Sequence, residues 1–102
     1  MNPRKPPQDC ASLDEIRAEI DRIDRGVVAA LGERKHYVMA ALKFKTSSAA
    51  IAAPERVAAM MEARRQWAAE EGIDPDVAEK IYRTLVEYFV AEERAHWRGP
   101  AR

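Results

Sequence analysis

Three cations stand in one helical register. Stepping in alternating fours and threes from Leu13 gives Arg17, Ile20, Asp24, Val27, Leu31, Arg34, Val38, Ala41 and Lys45, the stripe by which one helix packs on another. Four of its ten positions are charged, and an arginine or lysine desolvated without a partner is strongly destabilising. Something anionic must meet them. One solution is internal: Asp24 lies one heptad from Arg17, and acids of other helices can neutralise Arg34 and Lys45. The other is an anionic ligand in a cavity that the seam lines. Arg34 and Lys45 are eleven residues apart, about 16 Å along a helix, so long side chains leaning inward can close on one small molecule. Arg17 is seventeen residues from Arg34, about 25 Å, and reaches that molecule only from an antiparallel partner helix. A second anomaly lies at Tyr82, Val86, Phe89 and Glu93, where an acid interrupts an apolar stripe and is turned inward, with Trp97 one turn later. Glu93 either pairs with Arg34 or Lys45 or faces the same ligand.

Three helices position these groups, and no strand pattern is present. Residues 1–11 carry three prolines and read as an extended lead-in. Ser12 and Glu15 form a capping box that opens a helix running to about Thr46. Gly26 and Gly32 weaken it without breaking it. Thr46–Ser48 read as a loop, Pro54 opens a second helix that stops at Gly72, and Asp74-Pro75 opens a third that runs to about Arg98. The domain spans 12–98, with 99–102 as a tail. A helix from Ser12 to Thr46 is about 50 Å long, against a diameter of about 34 Å for a compact chain of this size. Its apolar face needs a partner chain, which predicts an intertwined homodimer with two-fold symmetry.

The chain has 102 residues, enough for one small domain. Seventeen basic and seventeen acidic side chains cancel, so no net field draws it to nucleic acid or anionic lipid. No apolar run approaches the roughly 20 residues of a membrane span. Basic residues in the lead-in have no apolar stretch behind them, so no secretion signal is expected and the cytoplasm is the default location. Cys10 is the one cysteine and reads as an incidental thiol. His36 and His96 lack companions for a metal site and read as surface residues. Met60, Met61 and Trp67 read as core.

The stretch LDEIRAEIDRIDRGVVAALGERKHYVMAALKFK, the joint AAIAAPERVAAM, and RRQWAAEEG and YFVAEERAHWR resemble the all-helical class of chorismate mutases, and more closely its isochorismate pyruvate lyase branch. HYV, FK and APERV carry the likeness to that branch. The resemblance implies an all-α, intertwined homodimer of three-helix chains, without cofactor or metal, that binds a small dicarboxylate, isochorismate or chorismate. It implies that Arg17 of one subunit and Arg34 of the other grip the two carboxylates. Lys45 then donates to the ether oxygen, Arg56 stands at the pocket edge, Phe89 and Glu93 complete the substrate contacts, and the loop 46–53 covers the substrate. The implied lyase reaction moves a ring hydrogen to the enolpyruvyl carbon as the ether bond breaks, giving pyruvate and salicylate, a siderophore precursor. Its catalytic groups are Lys45, Arg34 and Glu93. The implied alternative is the mutase reaction, chorismate to prephenate, and the alternative outside catalysis is a helical dimer module whose seam charges fix register.

Two residues depart from the branch. Glu93 stands where the lyases and many mutases carry a glutamine that donates to the ether oxygen; an ionised carboxylate only accepts, so Glu93 must be protonated for that part or pair with Lys45. Ala52 stands where the lyase loop has proline, which frees the loop and raises the entropy cost of closing it.

Overall fold

The computed structural model describes residues 5–99, and among these the only regular elements are helices. Four α-helices follow in order: α1 (Leu13–Ala41), the single turn α2 (Ala49–Ala52), α3 (Pro54–Glu70) and α4 (Pro75–His96). The described residues fall into two units, 5–36 and 37–99.

In the first unit, the amide of Glu15 donates to Ser12 Oγ at 3.1 Å, so Ser12 caps α1 as the sequence predicts. The Glu15 carboxylate reaches one residue beyond the ordinary capping box, accepting from the amide of Ala11 at 2.6 Å. The lead-in is not extended throughout, because Pro7–Asp9 close a 3-10 turn. Gly26 and Gly32 lie within α1, which runs through both. None of the residues of α1 is buried. Leu13 is 59% exposed, Ile20 50% and Val27 52%, which are apolar positions of the heptad stripe.

In the second unit, α1 ends at Ala41 and not at Thr46. Leu42–Phe44 tighten into a 3-10 turn, and Lys45 leaves it in an extended conformation while its amide donates to the Leu42 carbonyl at 3.1 Å. A 3-10 turn rotates 120° per residue against 100° in an α-helix, so Lys45 no longer continues the heptad register of the residues before it. α3 starts at Pro54, whose fixed φ suits a first turn, directly after Ala53 at φ 40° and ψ 59°. It ends at Gly72, φ 75°, in a Schellman arrangement: Ile73 N–H donates to the Ala68 carbonyl and Gly72 N–H to that of Ala69. Asp74 then caps α4, accepting from Asp76 N–H at 2.8 Å. The joint folds α4 back on α3, and Ile51, Met60, Met61, Ala68 and Phe89 form the core. Trp67 is not core but 52% exposed. Two helices cannot enclose both of their sides, and the Trp67 ring is covered instead by the Arg64 guanidinium at 4.7 Å. Near the joint Arg65 pairs with Asp76 at 2.9 Å and Glu79 at 3.3 Å, and Glu79 pairs with Arg83 at 2.8 Å. Arg83 first, then Arg65, hold the Glu79 carboxyl below the usual carboxylate range.

Candidate functional site

Arg17 and Arg34 belong to the first unit and stand on one continuous helix, about 25 Å apart by its rise. Arg17 is exposed and Arg34 half-buried. One chain therefore cannot bring both guanidinium groups onto a molecule the size of a small dicarboxylate. Around Arg17 the stripe presents Leu13, Ile20 and Val27 as half-exposed apolar surface, the kind of surface that another helix covers.

The second unit supplies Lys45, Arg56, Phe89 and Glu93. Glu93 is 7% exposed, the buried charged residue among those described, and lies one turn beyond Phe89 at 4%. The inward turn predicted for Glu93 is thus present. Burying a carboxyl group is costly without a polar partner, so this position is held by specific interactions. Phe89 is locked against Tyr88 in an edge-to-face pair with ring centroids 5.1 Å apart. Lys45 is half-buried, and its Nζ donates to the carbonyl of Ala50 in α2 at 3.3 Å. Ile51, 3% exposed, anchors that same turn in the core. Arg56 lies exposed in the first turn of α3. A groove of about 680 Å³ runs between α3 and α4 over Val57, Met61, Val86 and Val90, but Lys45, Arg56, Phe89 and Glu93 do not line it. His36 and His96 lie on the surface, and among the described residues no group of three or more histidine, cysteine, aspartate or glutamate side chains is placed to hold a metal ion.

The sequence reading missed the Ala50 carbonyl as the acceptor of Lys45. It is a backbone atom, and only the spacing of Ser47 from Ala50 hints at the turn: Ser47 Oγ accepts from Ala50 N–H at 3.2 Å, as a cap does. In the second unit, Lys45 and Arg56 stand on separate elements, and the buried Glu93 follows Phe89 by one turn of α4.

The profile of the family described as chorismate mutase type II matches residues 16–94. The isochorismate pyruvate lyase of Pseudomonas aeruginosa is 49% identical over 94 residues, which is 92% of this chain and 93% of the lyase. The T-protein of Haemophilus influenzae is 35% identical over 83 residues, 80% of this chain but 22% of that protein. On both the profile match and the full-length likeness, the chain belongs to the chorismate mutase type II family.

Proposed function

We propose that the chain is an isochorismate pyruvate lyase that releases pyruvate from isochorismate and leaves salicylate, with secondary chorismate mutase activity. The observation that carries this reading is the 49% identity to the Pseudomonas lyase over 93% of that protein's length. A single catalytic domain then spans residues 12–98, between the lead-in 1–11 and the tail 99–102. Two copies assemble with their α1 helices antiparallel, which covers the bare stripe and carries Arg17 of one chain to the pocket of the other. The enzyme works in the cytoplasm without a cofactor; among the described residues no helix is long and apolar enough to cross a membrane.

Arg17 of one subunit and Arg34 of the other hold the two carboxylates of the substrate, each by the planar fork that suits such a group. The enolpyruvyl arm is thereby folded over the ring. The hydrogen passes from a ring carbon to the terminal methylene carbon of the arm as the ether bond breaks, so all atoms of isochorismate are recovered in salicylate and pyruvate. Negative charge grows on the ether oxygen, and Lys45 and the protonated form of Glu93 donate to it. Phe89 packs against the ring, and Arg56 guards the rim. For Lys45 to act it must exchange the Ala50 carbonyl for the substrate oxygen, which links its readiness to the turn α2.

The second reading, a mutase converting chorismate to prephenate, is favoured by the family match itself. One assay separates the two. Purified protein is supplied with isochorismate and, separately, with chorismate, and salicylate plus pyruvate is measured against prephenate. Faster turnover of isochorismate supports the lyase; prephenate alone makes the chain a mutase; neither product makes it a binding module.

A further inference from the structure

We infer that the segment Lys5–Ser12 is a clasp that fixes the start of α1, with Glu15 as the positioning residue for Arg17. The inference rests on the reading above in which Arg17 is delivered to the partner's pocket.

Arg17 occupies the fifth position of α1, where its own backbone bond depends on the first turn being closed. Helix ends fray, and α1 buries none of its residues, so packing within the chain does little to hold that turn. The lead-in supplies what is missing. The ammonium of Lys5 pairs with the Glu15 carboxylate at 2.9 Å, and Lys5 N–H donates to Glu19 Oε1 at 2.8 Å. The amide of Ala11 donates to Glu15 Oε2 at 2.6 Å, while Glu15 N–H donates to Ser12 Oγ. Glu19 also accepts from Arg22 Nε at 3.4 Å. Between these ties Pro7 and Cys10 close with Ile16 and Ile23 over a cavity of about 150 Å³, so the segment is seated on an apolar edge as well as bonded to it.

Glu15 draws three of these ties together. The Ala11 amide, and after it the Lys5 ammonium, hold its carboxyl below the usual carboxylate range. Direction matters as much as strength. Arg17 is two residues beyond Glu15, hence about 200° round the helix, on the opposite face. The Glu15 ties therefore hold the helix from the face opposite Arg17 and leave the guanidinium, which is exposed, clear to reach forward. A guanidinium carried on a fraying turn spends only part of its time in register, and the carboxylate that it holds is bound more weakly in ground and transition states alike. Loss of the clasp should consequently raise KM and spare kcat.

The test uses the full chain with Glu15→Ala, Glu15→Gln and Lys5→Ala, read by steady-state kinetics and by amide hydrogen exchange across Leu13–Arg17. Removing a helix cap of this kind lowers the equilibrium constant for the closed turn about fivefold, so KM should rise by up to about fivefold in Glu15→Ala with kcat within about twofold. Glu15→Gln keeps an acceptor for the Ala11 amide but loses the charge facing Lys5, so it should rescue part of the loss. Exchange across Leu13–Arg17 should quicken in the same order. In an Arg17→Ala background Glu15→Ala should raise KM no further. Faster exchange with unchanged KM overturns the positioning role, as does an equal rise in KM whether or not Arg17 is present; unchanged exchange overturns the clasp itself. If Arg17→Ala alone leaves KM unmoved while exchange still responds to Glu15, it is the shared-pocket reading that has failed, and the role given to Glu15 falls with it.

Discussion

If Arg17 serves the pocket of the other chain, two crippled variants must repair one another. Arg17→Ala removes a grip on a carboxylate and raises KM, whereas Lys45→Ala removes a donor to the breaking bond; losses of about 3 kcal/mol lower kcat/KM about a hundredfold, so with substrate well below KM either homodimer retains about 1% of wild-type activity. Their heterodimer is different. The helix rise separates Arg17 from Arg34 by about 25 Å, and in the proposed dimer each pocket would take Arg17 from one chain and the remaining groups from the other. In the mixed dimer one pocket then collects both substitutions and the other collects neither, and activity should return to about half that of wild type. The two chains are co-expressed with different affinity tags, the doubly tagged species is isolated in tandem, and product formation is measured per dimer. Recovery about fiftyfold above either parent is the expected result. A heterodimer as inactive as its parents would place Arg17 in its own chain's pocket and refute the distance argument. Failure to isolate any doubly tagged species would refute the assembly.

Lys45→Ala should lower kcat by about a hundredfold or more, with product formation at saturating substrate as the measurement. Activity should rise as pH falls below neutrality, because a protonated Glu93 donates where the carboxylate cannot; Glu93→Gln, a donor at any pH, should flatten the kcat profile. Gly26→Ala should stabilise the protein, since the added methyl group meets nothing within 4 Å, the position lies off the heptad stripe and alanine is the better helix former by about 1 kcal/mol; calorimetry should show Tm rising by roughly 4–8 °C. Because Glu79 titrates below the usual carboxylate range in the folded chain, its contribution is complete above that range and is lost as pH falls through its folded value. Wild type should therefore lose stability in acid more steeply than Glu79→Gln, as thermal unfolding from pH 6 down to pH 3 would record.

Most of the scaffold was legible because the signals that start and stop helices are local. Ser12, Pro54, Gly72 and Asp74 each act through their own backbone angles or a side chain reaching two or three residues. Glu93 was legible for a related reason, as one acid on an otherwise apolar stripe of α4. The end of α1 was not. From Lys43 to Ser48 there is neither glycine nor proline to mark where the helix tightens, and the periodic apolar pattern continues through Phe44. Trp67 was misplaced because periodicity tells which residues share a face and not whether anything covers that face. Here the far side of the helix pair is open, and an arginine stacks on the ring.

The same contrast bears on how the proposed site could be tuned. Arg17 and Arg34 ride on a regular helix, and their separation is fixed by its rise. Lys45 hangs on a 3-10 turn and is tied to a backbone carbonyl four residues short of Pro54. On the function proposed above, small changes in the segment 46–53 would retune Lys45, one of the two donors to the breaking bond, while leaving the grip on the carboxylates untouched. The segment already carries tension, since Ala53 holds a left-handed conformation that costs an alanine about 1 kcal/mol and that glycine would adopt freely. A non-glycine residue kept there restricts the turn that presents Ala50 to Lys45, and offsets some of the freedom left by Ala52.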